Sequence, residues 1–325
     1  MSTGVGLISG GLDSVLAVKI LQDQNIEIIG ISYVTPFFNS QKAEQANKFL
    51  NIDLRIIDIT DIHLEMVKSP KHGYGKGMNP CIDCHAMMFH EAGKLMEAEG
   101  ADFLFSGEVL GERPMSQNFR SLMEVAKESG YEDVIIRPLS ARLLPETCPE
   151  SEGKVDRQRL LNLSGRSRKP QIELAKHYGI TEYAQPAGGC LLTDKGYSRR
   201  LKELMDNDPD HDLRDIDFLT IGRQFRLASG EKVIIGRDQK DNEKLLSMKR
   251  DDDVIIDVFD HPSPIAMIPH GGSIEAIKMS ASICVTHSDA PGDQDIQVTY
   301  YCGGDEQNIW VKAIPRDELE NIRIQ

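Results

Sequence analysis

The chain has 325 residues, with 37 Lys+Arg against 51 Asp+Glu and a formal net charge of −14. Its 40% apolar and 27% charged residues are a globular composition, long enough for about two domains. It holds no run of about 18 uncharged apolar residues, which argues against a membrane helix; the acidic balance argues against indiscriminate nucleic-acid binding, and six scattered cysteines argue against a disulfide scaffold.

The opening Ser2-Thr3-Gly4-Val5 leads into a strand-like run without a basic segment, which predicts no secretory signal and a cytoplasmic protein. Apolar runs at 5–9, 26–34, 54–59, 101–106 and 134–137 read as strands, and helical spacing at 13–21, 41–50, 85–99 and 116–129 alternates with them. Strands separated by helices imply βαβ units: an α/β fold with an open parallel sheet covered by helices on both faces. Ligands are then expected at the carboxyl ends of the strands. Residues 138–205 break the rhythm with Pro, Arg and Gly, and carry helices near 171–178 and 196–205. The acidic stretch Asp206-Asn-Asp-Pro-Asp-His predicts a boundary, giving domains 1–208 and 209–325. Beyond it, short strands at 232–235, 254–259, 264–268, 296–301 and 309–313 with a helix at 274–284 predict a smaller α+β domain.

Ser9-Gly10-Gly11-Leu12-Asp13-Ser14 follows the first strand and opens the first helix. Two glycines permit a tight turn, and the helix N-terminus with the serine hydroxyls offers donors to an anion. No Gly-Lys-Ser/Thr follows, so this is not a Walker loop. It resembles the PP-loop of the ATP pyrophosphatase superfamily, Ser-Gly-Gly-x-Asp-Ser. That resemblance implies that Ser9, Gly10, Gly11, Asp13 and Ser14 hold the phosphates of ATP, that the α-phosphate is attacked, and that an adenylated substrate forms. Ser32 on the second strand and Ser106-Gly107-Glu108 after the fourth should border the nucleotide, as the switch-point rule also suggests. Asp13 is expected to bind Mg²⁺ or to contact the reacting centre.

Pro80-Cys81-Ile-Asp-Cys84-His85 lies before a helix; a Cys-x-x-Cys pair by itself suits zinc, redox or iron–sulfur chemistry. After a PP-loop it resembles the tRNA thiolases of the 4-thiouridine-synthetase-like group, which use a third cysteine, here Cys190 in Pro186-Ala-Gly-Gly-Cys190. Two readings follow: Cys81, Cys84 and Cys190 ligate a 4Fe–4S cluster with one iron left open, or two of them relay a persulfide. The cluster is preferred on the count of three thiols; zinc would want a fourth ligand, for which His85 is the candidate. Cys284 and Cys302 are expected to fill the core.

Lys154, Arg157, Arg159, Arg166, Arg168 and Lys169 fall within sixteen residues against the single acid Asp156, a density that suits RNA phosphates. Leu163-Ser-Gly-Arg166-Ser-Arg168-Lys169-Pro resembles a segment of the same thiolase group. Residues 223–250 hold eight bases, among them Arg223, Arg226, Arg237 and Lys240, and four acids. Ile234-Ile-Gly-Arg237-Asp-Gln-Lys240-Asp-Asn242 resembles the RNA-binding module of the NFACT proteins, without that module's usual tryptophan on the following strand. The resemblances together imply an ATP-dependent tRNA sulfurtransferase that adenylates a uridine and takes sulfur from sulfide or a persulfide carrier. The alternative is a PP-loop ligase or amidase acting on a small molecule, with zinc or no metal.

Overall fold

The computed structural model of the protein describes residues 2–324 except 182 and 184–188, so Pro186, Ala187 and Gly188 of the third-cysteine motif lie outside the described residues. The chain forms two compact units, residues 1–194 and 195–325.

The first unit alternates strands and helices: β1 (Thr3–Leu7), α1 (Leu12–Gln22), β2 (Glu27–Val34), α2 (Gln41–Leu50), β3 (Asp53–Asp58), α3 (Thr60–Lys68), α4 (Cys81–Glu99), β4 (Phe103–Ser106), α5 (Phe119–Ser129), β5 (Ile135–Ile136), the single-turn α6 (Cys148–Ser151) and α7 (Lys169–His177). All five strands are parallel, in the order β3-β2-β1-β4-β5. Strand alternation decides which helices cover which face. Phe103 and Phe105 pack with Leu12, Leu16 and Ala175 on one side, and Leu104 packs with Val5, Phe89 and Val125 on the other. The chain runs from β1 outward to β3, then returns to lay β4 on the far side of β1. That reversal puts the carboxyl ends of β1 and β4 side by side at the topological switch point.

The second unit contains α8 (Lys195–Asn207), α9 (Leu213–Phe218), β6 (Arg223–Arg226), β7 (Lys232–Ile235), α10 (Gln239–Ser247), β8 (Val254–Val258), β9 (Ala266–Ile268), α11 (Ile274–Thr286), β10 (Ile296–Cys302), β11 (Asp305–Val311), α12 (Arg316–Ile322) and β12 (Arg323–Ile324). Its seven strands run antiparallel in the order β11-β10-β8-β9-β7-β6-β12. Val233, Ile235, Val254 and Ile256 meet α11 on one face, while Ile234 and Ile255 meet Phe218 and Leu245 on the other. The α/β sheet with a separate smaller α+β unit is the expected fold class.

The expected boundary at residue 208 differs from the observed one. The helix α8 belongs with the second unit because its Tyr197, Leu201 and Leu204 are buried and Arg200 donates to the carbonyls of Leu219 and Gly222. The acidic stretch after it is tied down too, Arg226 pairing with both Glu203 and Asp208. Helices α3 and α10 are also absent from the sequence reading, because short polar helices with few buried positions carry little periodic signal. Chemical denaturation of two fragments tests the boundary: residues 195–325 should unfold cooperatively, while residues 209–325, without Leu201 and Leu204, should lose about 2–5 kcal/mol or more.

Candidate active site

The loop after β1 is shaped by what it must avoid. Gly10 has φ +71°, and a Cβ there would lie 2.1 Å from the backbone of Lys42 at the start of α2. Gly107, just beyond β4, has no room either, since its Cβ would fall 2.4 Å from the backbone of Asp13 and Ser14. The chain beyond β4 therefore meets the first turn of α1 through backbone alone. Ser14 is buried and donates its hydroxyl to the Gly11 carbonyl at 2.8 Å, while the Gly11 N–H donates to Ser9 Oγ at 3.3 Å. The N-cap residue Gly11 has no side chain to cap α1, which leaves the helix N-terminus open to an anion. Ser32 is buried in β2, next to β1.

Asp13 leaves this loop pointing inward. Its Oδ1 is buried without a hydrogen bond, and its pKa is raised by burial against the opposing charges of Arg168 and Arg113. Glu112, on the loop after β4, is raised by burial and by the charge of Asp13. Arg168 brings its guanidinium to 4.0 Å from Asp13 and 3.9 Å from Glu112. Two half-buried carboxylates, one of them held up by the charge of the other, are a donor set that fits a hard divalent cation such as Mg²⁺.

The thiols occupy the neighbouring elements. Cys81 and Cys84 lie in the first turn of α4, which starts at Cys81 and not at residue 85. Asn79 Nδ2 donates to Cys81 Sγ at 3.2 Å, and Cys84 Sγ sits 3.4 Å from His63 Nε2. His63 is fully buried between the rings of Phe37 and Phe38, and burial lowers its pKa to about 4, which keeps it neutral. Cys190 is carried in by the segment whose Leu191 N–H donates to the Phe37 carbonyl. Burial pushes the Cys84 thiol well up, with the charges of Cys190 and Cys81 adding to it. It pushes Cys190 up to about 11, with Cys81 adding again. The structure thus brings the three predicted cysteines to one place as free thiols. Around a zinc ion at about 2.3 Å, thiolates stand about 3.8 Å apart; these three do not all lie within 4.8 Å of one another. Three thiols with the neighbouring imidazole of His63 are donors of the kind that iron–sulfur clusters and zinc both use. Arg113 acts electrostatically on both Asp13 and Cys190, so loop and thiols share one electrostatic neighbourhood.

Glu108 joins the two halves. Its Oε2 accepts from Arg137 Nε at 2.9 Å and from Ser106 Oγ at 3.0 Å, and its Oε1 lies 2.8 Å from His85 Nδ1. Burial opposes its ionisation, but Arg137 and His85 outweigh that and hold its pKa at about 2. His85 Nδ1 is therefore engaged by Glu108, and the imidazole beside a cysteine is that of His63.

The predicted RNA residues divide. Arg166 and Lys169 are exposed, whereas Arg168 faces Asp13, Arg157 pairs with Glu150 at 2.6 Å and Lys154 with Asp102 at 3.1 Å. In the second unit Lys240 is exposed, but Arg226 pairs with Glu203 and Asp208, Arg237 pairs with Asp241 at 2.6 Å, and Arg223 donates to the Gly236 carbonyl. Cys284 is buried and donates to the Pro264 carbonyl; Cys302, expected in the core, is exposed because it ends an edge hairpin. Sequence reasoning missed His63, Glu112 and Arg113, which occupy no recognisable motif.

Residues 222–323 match the family model of the NFACT protein RNA binding domain. The chain is 32% identical over 110 residues to a tRNA-specific 2-thiouridylase of Sulfurimonas denitrificans, covering 31% of this chain and 32% of that one. It is 30% identical over 119 residues to the corresponding enzyme of Clostridium acetobutylicum, covering 31% and 34%. The chain thus spans about a third of the length of these relatives. A solved 4-thiouridine synthetase–RNA complex with bound ATP is 17% identical with a TM-score of 0.31, covering 56% of this chain and 54% of that one. The similarity to the tRNA-specific 2-thiouridylases extends over about a third of this chain, alongside the PP-loop resemblance of Ser9–Ser14. The match to the NFACT protein RNA binding domain falls within the C-terminal unit.

Glu108→Gln should destabilise the protein by about 3–5 kcal/mol at neutral pH, because Arg137 stays buried without its counter-charge. The pKa is depressed, so this stabilisation is complete above the ordinary carboxylate value of 4.5 and fades as pH falls towards 2. Urea denaturation of both proteins between pH 7 and pH 3 should show the gap narrowing.

Proposed function

We propose that the protein transfers sulfur to a tRNA uridine in an ATP-dependent reaction that passes through an adenylated base and releases AMP and pyrophosphate. The observation that carries this reading is the convergence of an uncapped PP-loop and three free thiols on one electrostatic neighbourhood. The first-turn N–H groups of α1 with Ser9, Gly10, Gly11 and Ser14 bind the phosphates. Ser32 and Gly107 border the nucleotide. Asp13 and Glu112 would hold Mg²⁺, and Arg168 offsets the charge that builds on the departing pyrophosphate. The uridine carbonyl oxygen attacks the α-phosphorus, the bond to pyrophosphate breaks, and the ring nitrogen loses its proton. Sulfide then adds to the activated carbon, and the carbon–oxygen bond breaks to expel AMP. Adenylation turns a poor leaving group into a good one, and a base flipped from its stack gives access.

Cys81, Cys84 and Cys190 would hold a 4Fe–4S cluster, whose unligated iron supplies a place to bind the sulfide. The thiols' own part is to fix that donor beside the nucleotide, while His63 and its phenylalanine neighbours keep water from Cys84. RNA contacts fall to Arg166, Lys169, Lys240 and Arg223 in this reading, while Arg226 and Arg237 are neutralised by carboxylates within the unit.

The protein purified without oxygen should be brown, with about four irons per chain, and should thiolate tRNA with ATP and sulfide. Alanine at Cys81, Cys84 or Cys190 should remove the iron and the thionucleoside together. Asp13→Asn and Arg168→Ala should keep the iron but slow AMP formation by about 10²–10³-fold. Colourless protein carrying stoichiometric zinc, with tRNA thionucleosides unchanged in a deletion strain, would contradict the proposal and favour a small-molecule ligase.

A further inference from the structure

The second unit contains a cavity of about 250 Å³ lined by Arg223, Phe225, His287, Arg316, Glu320 and Arg323, with Leu319 at its wall. These residues come from four places in the chain. Arg223 and Phe225 lie on β6, Arg323 on β12 at the edge of the sheet, Arg316 on α12, and His287 just after α11. Register brings the strands together, Arg323 standing opposite Phe225 in the antiparallel β12–β6 pair. Three guanidiniums are thus assembled around one space by tertiary structure, although the basic run at 223–250 supplies only one of them.

Their bonding differs from that of four other arginines of the unit. Arg214, Arg226, Arg237 and Arg250 each pair with an aspartate of the same unit. Arg223 donates to the Gly236 carbonyl, which fixes its position and leaves its charge uncompensated. Arg316 has no carboxylate partner among the described residues, and Arg323 has only an exposed contact with Glu320 at 3.1 Å. With Glu320 the one acid among the described lining residues, three positive charges there face one negative charge. His287 adds a ring: its Nε2 is buried without a hydrogen bond, and its side chain lies 6.1 Å from the Phe225 ring. Burial and the three arginines together lower its pKa to about 4, so it stays neutral and can donate one N–H without repelling them. Converging cations held apart by a cavity are costly unless an anion sits between them. Planar guanidiniums match the oxygens of a phosphate in paired hydrogen bonds.

We infer that this cavity, formed by Arg223, Arg316, Arg323 and His287, is a phosphate pocket through which the C-terminal unit grips a backbone phosphate of RNA. The inference rests on the reading that the protein binds tRNA, and it moves the principal contact from the basic run to residues 223, 287, 316 and 323. Arg316 and Arg323 are exposed, so they can be changed without disturbing the core.

Binding of an unmodified tRNA transcript to the full chain, followed by fluorescence anisotropy over a range of salt, tests it. Arg316→Ala with Arg323→Ala should weaken binding about tenfold and lower the slope of log K against log[salt] by about 0.7–0.9. Lys278→Ala with Lys312→Ala removes the same charge from exposed positions outside the cavity and should change affinity less than about twofold. If the arginine pair binds like the parent, or if the lysine pair loses as much, the pocket is overturned while RNA binding stands. If the parent does not bind the transcript, the RNA reading itself falls. Saturable shifts of the Arg316 and Arg323 side-chain N–H signals with inorganic phosphate would then mark a small-molecule phosphate site, against the inference.

Discussion

A single buried carboxylate holds the N-terminal unit to its task. Glu108 stands at the end of the strand that packs against the PP-loop, and it is gripped by Arg137 from beyond β5 and by His85 from the helix that presents Cys81 and Cys84. Burying such a group costs several kcal/mol, and only paired, well-directed donors offset it. The same bonds that satisfy Glu108 therefore fix the spacing between the nucleotide loop and the thiol helix. Moving either one would leave a charge stranded in the core.

Around that junction the sheet order does the rest. Returning β4 to the far side of β1 opens a crevice at their carboxyl ends, and Gly107 lets the chain beyond β4 meet the first turn of α1 by backbone alone. Into this crevice point an uncapped helix terminus, two carboxylates that repel one another and an arginine between them. Each of these is unfavourable in isolation. Together with the three free thiols beyond, they leave this end of the sheet with charges and donors that the fold itself does not pair.

What could be read from the chain follows from where its signal lies. The PP-loop is six consecutive residues in a strand–loop–helix setting, and the parallel sheet announces itself through apolar runs such as 26–34. The three cysteines are visible because few other residue types do their chemistry. Charge was less readable. Arg168 sits in a basic run that looks like an RNA surface, yet its guanidinium turns to Asp13, because sequence density says nothing of side-chain direction. Arg226 and Arg237 look equally free until Glu203, Asp208 and Asp241 fold against them. His63, Glu112 and Arg113 act through long-range placement alone. The −14 net charge hides a cavity whose three arginines are drawn from two stretches of chain some ninety residues apart.

The fate of the uridine oxygen bears most directly on the account. With tRNA whose target carbonyl carries ¹⁸O, adenylation followed by displacement with sulfide must leave the label in AMP, one atom for each thiouridine formed. Label in AMP and none in pyrophosphate is the expected result. Thiolated tRNA with unlabelled AMP, or label in pyrophosphate, would contradict attack at the α-phosphorus and the function built on this loop.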